Sequence, residues 1–116
     1  MKATGNLILD KSFEFSLSII EFTHQIEELK KFAIANQLLK SGTSIGANIR
    51  EAQSPESKVD FIHKMKISAK EAQETEYWLL LCKHSEFLPD PGKLLENVNS
   101  MQKILSSIIS TSKKRL

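Results

Sequence analysis

Apolar residues recur at alternating spacings of three and four through four long segments of this chain, and that periodicity leaves few folds open. Such spacing paints one stripe along an α-helix, and a striped helix must bury its stripe against a neighbour. The first segment, about residues 11–29, aligns Phe15, Ile19, Phe22, Ile26 and Leu29, with Asp10 as the expected N-cap. The second, about 31–53, aligns Ala35, Leu38, Gly42, Ile45, Ile49 and Ala52. The third, about 57–87, aligns Phe61, Met65, Ser68, Ala72, Thr75, Leu79 and Cys82, flanked by Ile62, Ala69 and Leu80. It opens on Ser57-Lys58-Val59-Asp60, which has capping-box spacing, just after Pro55 has stopped the second helix. The fourth, about 91–112, follows Asp90-Pro91, an N-cap with proline at the first helical position, and aligns Leu94, Val98, Met101, Leu105 and Ile108.

No segment alternates with period two for long, so no sheet is expected. The links near Lys30, Pro55 and Pro89 are short, and short links between long helices make sequential neighbours antiparallel. The expected fold is all-α: one antiparallel up-down-up-down four-helix bundle over residues 1–116, with residues 1–9 as an extension. Two glycines one turn apart, Gly42 and Gly46, weaken the second helix by about 1 kcal/mol each relative to alanine. They imply either a close approach of a neighbouring backbone or a break near Gly42.

Composition excludes several classes of function. Hydrophobic residues at 41% and charged residues at 26% suit a folded chain rather than a disordered one. No stretch has the roughly 18 apolar residues of a membrane span, and the N-terminus lacks the apolar run of a secretory signal, so the protein is read as cytoplasmic, with no membrane contact. The single cysteine, Cys82, lies within an apolar run and reads as a small buried hydrophobe.

Bundles often hold di-metal sites built on Glu-x-x-His, and this chain carries Glu21-Phe22-Thr23-His24 and Asp60-Phe61-Ile62-His63. Both pairs point away from their helix's apolar stripe and sit at different levels. His84 stands near the end of the third helix, where a cation suits the helix dipole. Gly42-Thr43-Ser44-Ile45-Gly46 lacks the lysine of a phosphate-binding loop and falls within a helix. Glu76, close to the core stripe, reads as an ion-pair partner, and Ser41, Ser44 and Asn48 as a hydrogen-bonding strip. No catalytic residue, metal site, cofactor or small-molecule substrate is expected.

The basic residues carry more information than the net charge of +2. Four lysines, Lys58, Lys64, Lys66 and Lys70, crowd the first half of the third helix, and Glu71, Glu74 and Glu76 follow without a base among them. With Arg50 at the end of the second helix and Lys113, Lys114 and Arg115 at the C-terminus, they form a candidate phosphate-contacting set for RNA or DNA. Ile67, Trp78 and Leu81 lie roughly 120–160° from the core stripe at 100° per residue. They make a second face suited to self-association, or else a side of this helix that the bundle itself buries.

The stretch Gln37–Ala52 (QLLKSGTSIGANIREA), followed by Ser57–Lys64 (SKVDFIHK), then Lys70-Glu71 and Glu74–Leu79 (ETEYWL), carries a resemblance. So does the opening Ile8–Phe13 (ILDKSF). In order and spacing these residues resemble the bacterial four helix bundle proteins, also called the S23 or ribosomal-RNA intervening-sequence protein family. The resemblance implies an antiparallel bundle that assembles into a homo-oligomeric ring, typically a pentamer. Some relatives are encoded within intervening sequences of large-subunit ribosomal RNA genes. A related group, the accessory proteins of diversity-generating retroelements, forms strongly basic pentamers that bind nucleic acid and a reverse transcriptase. The resemblance brings no catalytic residues, and it implies packing or subunit contact for Ser44, Asn48, Glu51, Glu71 and Glu74.

Overall fold

The computed structural model describes residues 3–116 and contains four helices and, among these residues, no strand. They are α1 (Leu7–Glu28), α2 (Phe32–Glu51), α3 (Lys58–His84) and α4 (Leu94–Lys114). Sequential helices pack side by side and α4 returns against α1, closing an all-α four-helix bundle. The bundle is 47 Å long and 27 × 21 Å across.

The apolar stripes meet along its axis. Phe15, Ile19, Phe22 and Ile26 of α1 are buried with Leu38, Ile45 and Ile49 of α2, Met65 and Leu79 of α3, and Val98, Met101 and Leu105 of α4. Three expected stripe positions differ. Ile62, not Phe61, is buried at the start of α3, while Phe61 lies half-buried beside Ser112 of α4 and Arg115 just past its end. Leu29, expected on the α1 stripe, caps the helix and is exposed. Ile108 is only half-buried.

Two helix starts also differ from expectation. α1 begins four residues before Lys11, because Asn6 caps it: its Oδ1 accepts from the Leu9 N–H at 3.2 Å. Asp10, expected to be the cap, lies inside the first turn and accepts from the Thr4 N–H and hydroxyl. α4 begins at Leu94 rather than Pro91, with Lys93 at the cap position. Asp90 accepts from the Gly92 N–H at 2.7 Å, and Gly92 turns left-handed at φ 56°, so the chain finishes a tight turn before the helix starts. Ser57 does cap α3, accepting from the Asp60 N–H at 3.0 Å, while Asp60 reaches back to the Glu56 N–H.

The α1–α2 link is a Schellman motif. The Lys31 N–H donates to the Ile26 carbonyl and the Lys30 N–H to the Glu27 carbonyl. Lys30 occupies the left-handed position at φ 61°, where glycine is the usual residue.

α2 runs unbroken through both glycines, which sit where α1 comes closest. A Cβ at Gly42 would lie 2.8 Å from Ile19 Cγ2, and one at Gly46 would lie 3.2 Å from the Ser12 carbonyl oxygen. These contacts pair later residues of α2 with earlier residues of α1, as antiparallel packing requires. On the opposite side of α2, the Ser68 hydroxyl of α3 donates to the Ile45 carbonyl at 2.9 Å. One level up, the Thr75 and Ser41 hydroxyls share a 2.9 Å hydrogen bond. Among the described residues no buried side-chain polar atom lacks a partner.

Gly42→Ala adds a methyl group against Ile19, which is fully buried and cannot swing aside. Alanine's helix propensity returns about 1 kcal/mol, but overpacking of this kind costs about 1–3 kcal/mol. The net expectation is a loss of stability, seen as a lower urea midpoint with an unchanged m-value.

Candidate nucleic-acid interface

Antiparallel packing gathers the start of α1, the end of α2, the start of α3 and the end of α4 at one end of the bundle. The Asn6 amide reaches Gln53 there, and Phe61 meets Ser112 and Arg115. The half of the molecule nearest this end, residues 3–17, 42–70 and 105–116, has nine bases. They are Lys11, Arg50, Lys58, Lys64, Lys66, Lys70, Lys113, Lys114 and Arg115, against five acids: Asp10, Glu14, Glu51, Glu56 and Asp60. In the other half, residues 18–41 and 71–104, nine acids outnumber six bases. A small net charge thus conceals a long molecule with one basic and one acidic end.

The eight candidate phosphate contacts do not share one face. Arg50 lines a 120 Å³ cleft between α1 and α2 with Phe13, Ser16 and Ala47. Lys64 is half-buried on the α2 side of α3, 3.7 Å from the Glu51 carboxylate, so its charge is largely answered within the chain. Lys114 is exposed near the end of α4.

The rest converge on the α3–α4 side. Lys58 and Arg115 line a 320 Å³ pocket with Pro55, Ser57, Phe61 and Ser112. Beside it, Lys66 of α3 meets Lys113 of α4, with Lys70 one turn further along. The contact with Lys113 and its charge, then some desolvation and the charge of Lys70, hold the Lys66 pKa below the usual lysine range. Lys113 continues into a 440 Å³ groove lined by Ala69 and Gln73 of α3 and by Gln102, Ser106, Ile109 and Ser110 of α4. An adjoining depression adds Asn99, Lys103 and Ser107. No carboxylate lines either, because α3 has no acid from Phe61 to Lys70 and the chain has none from Asn97 to Leu116.

The residues expected at a subunit contact follow one another at heptad spacing along α3: Ile67, Glu71, Glu74, Trp78 and Leu81. By helical phase they lie on the side of α3 nearer α2. Ile67, Glu71 and Trp78 are half-buried; Glu74 and Leu81 are exposed. Desolvation, and then the charge of Glu74, raise the Glu71 pKa, partly offset by Lys40 of α2. The Trp78 Nε1–H donates to Glu74 at 3.1 Å, and Tyr77 packs edge-on against the Trp78 ring at 5.2 Å.

The acid–histidine pairs lie outside the core. Glu21 and His24 are exposed, and His24 Nε2 lies 3.0 Å from Glu28 rather than from Glu21. His63 is exposed, and Asp60 is engaged at the α3 cap. Among the described residues no three His, Cys, Asp or Glu side chains come together in a way that would hold a metal, and no helix is long and apolar enough to cross a membrane. Cys82 is buried in the core.

The profile of the 23S rRNA-intervening sequence protein family matches residues 5–107, which takes in all of α1, α2 and α3 and most of α4. The chain belongs to that family. A solved structure of a protein of unknown function from the S23 ribosomal protein family of Bacteroides thetaiotaomicron VPI-5482 superimposes with a TM-score of 0.83 at 43% identity. The alignment covers 88% of this chain and 97% of the other. No curated protein matches at a significant level. Membership of the 23S rRNA-intervening sequence family agrees with the all-α bundle and with the resemblance carried by Gln37–Ala52.

Burial pushes the Cys82 thiol up to about 11, so almost no thiolate exists at pH 8. The native protein is expected to react very slowly with a thiol-disulfide reagent at that pH. Denaturant should release the full reactivity of one thiol per chain.

Proposed function

We propose that this member of the 23S rRNA-intervening sequence family is a non-enzymatic, self-associating bundle that binds RNA or DNA through phosphate contacts on the α3–α4 side of its basic end. One observation carries the reading. Lys66, Lys70 and Lys113 cluster beside a groove without a carboxylate, although like charges this close repel. Repulsion of that kind is relieved when an anion binds between the cations. The resemblance to the nucleic-acid-binding accessory proteins of retroelements favours a nucleic-acid partner over other polyanions.

A phosphate-based interface must weaken with salt. Three neutralised phosphates imply a roughly 20- to 40-fold loss of affinity between 50 and 200 mM salt, from a log–log slope of about −0.7 to −0.9 per phosphate. Anisotropy titration of labelled RNA measures it. Changing Lys66, Lys70 and Lys113 together to Glu should abolish binding, whereas Lys64→Gln should leave it nearly intact because Lys64 faces Glu51. Binding that survives the triple change would place the interface elsewhere.

A second reading is an oligomeric adaptor that binds another protein and no nucleic acid. Leu81 and Leu80 are 38% and 40% exposed beside the half-buried Trp78, an apolar surface of the kind that partners cover. In both readings copies associate through Ile67, Glu71, Glu74, Trp78 and Leu81, and the family resemblance suggests a pentamer. Trp78→Ala is expected to shift the light-scattering mass towards the 13.1 kDa of one chain. A mass unchanged from that of the unaltered protein would remove this face from the assembly.

A further inference from the structure

We infer that the α3–α4 side is a track for single-stranded nucleic acid, with phosphates held by Lys66, Lys70 and Lys113 and a base stacked on Tyr77. The inference rests on the nucleic-acid reading above and narrows it to one form of the polymer.

Along α3, Lys66, Lys70, Gln73 and Tyr77 succeed one another at spacings of four, three and four. At 100° per residue they fall within a 60° arc, on the side of the helix nearer α4. The geometry agrees, since Ala69 and Gln73 of α3 line one groove with Lys113 of α4. The stripe therefore runs from cations, over an amide, to an aromatic ring. By the same phase Glu71 lies well round the helix, Glu74 flanks the stripe one turn from Lys70 with its carboxylate engaged by the Trp78 indole, and Glu76 is half-buried.

Tyr77 is 55% exposed, unusually open for an aromatic ring in mid-helix. Trp78 fixes it from the side at an interplanar angle of 64°, and the indole is tied in turn to Glu74. A ring braced in this way loses little side-chain freedom when a flat partner covers it. Lys70 and Tyr77 stand about 10 Å apart along the helix axis, from a rise of 1.5 Å per residue. That distance spans about three steps of a stacked strand at 3.4 Å per nucleotide. Between them the groove offers hydroxyl and amide groups from Gln73, Gln102, Ser106 and Ser110, which hydrogen-bond phosphate and sugar oxygens without reading sequence.

A duplex cannot use this arrangement in full. Its internal bases are already stacked on both faces, so only its phosphates reach the lysines, and Tyr77 is left idle. A single strand can splay a base onto the ring while its backbone follows the cations. Acidic side chains would also satisfy the lysines but carry no aromatic ring to stack on Tyr77.

The test compares a labelled oligo-uridine of about twelve nucleotides, a duplex of the same length and polyglutamate as ligands of the full chain. Trp78 is the only tryptophan, so its emission reports events at Tyr77. The single strand is expected to bind more tightly than the duplex and to change the Trp78 emission. Tyr77→Ala should weaken single-strand binding roughly tenfold and leave duplex binding unchanged, while Tyr77→Phe should retain both. The ring is largely exposed, so the alanine variant should keep its helical circular dichroism. Equal binding of duplex and single strand, with no effect of Tyr77→Ala, would overturn the inference and leave the broader reading standing. Polyglutamate bound as tightly as oligo-uridine would overturn it in favour of an acidic protein partner. No binding of either nucleic acid at low salt would remove both.

Discussion

Gly42 and Gly46 let α1 and α2 approach more closely than residues with a Cβ would allow, and much of the architecture is referred to that contact. With α1 seated against the glycines, α2 presents Ser41 and the Ile45 carbonyl on its other side. Thr75 and Ser68 of α3 meet them at separate levels. Two polar contacts at fixed heights, embedded in an apolar core, set the axial register of α3 more sharply than interchangeable aliphatic side chains can. That register decides which part of α3 lies beside the end of α4. A slip of one turn would carry Lys66 away from Lys113 and Lys64 away from Glu51. The charge arrangement at the surface thus depends on two glycines and a few hydroxyls inside.

Most of the helix hydroxyls are answered within their own helix. Thr23, Thr43, Ser44 and Thr75 each donate to the carbonyl four residues earlier, and Ser12 to the one three earlier. Such bonds slightly weaken a helix but leave no unanswered group in the core. The chemistry open to this bundle lies on its surface, where rigid helices present charges at regular intervals.

How much of this was legible in the sequence depended on the range of the interaction. The stripes through Phe15, Ile19 and Ile26, or through Val98, Met101 and Leu105, follow from local periodicity, and the four helices and their antiparallel order came with them. The ends were less legible. Asn6 and Asp10 are both good caps, and only the contact of Asp10 with Thr4 puts it inside the first turn. Asp90-Pro91 reads as a helix start because nothing local announces that Gly92 turns left-handed. The cations could be found but not sorted: Lys58, Lys64, Lys66 and Lys70 look alike in sequence. It takes α2 to supply Glu51 to one of them and α4 to supply Lys113 to another. Tyr77 stands beside the apolar run that begins at Trp78, and only its place in the Lys66–Lys70–Gln73 stripe sets it apart.

The separation of charge between the two ends has a consequence for how the molecule is seen by others. At physiological ionic strength the Debye length is about 8 Å. The bundle is 47 Å long, several screening lengths from end to end. A partner approaching one end is shielded from the other and meets either a cation or an anion. The isoelectric point near 8.7 averages over both, and neither end has the character it describes.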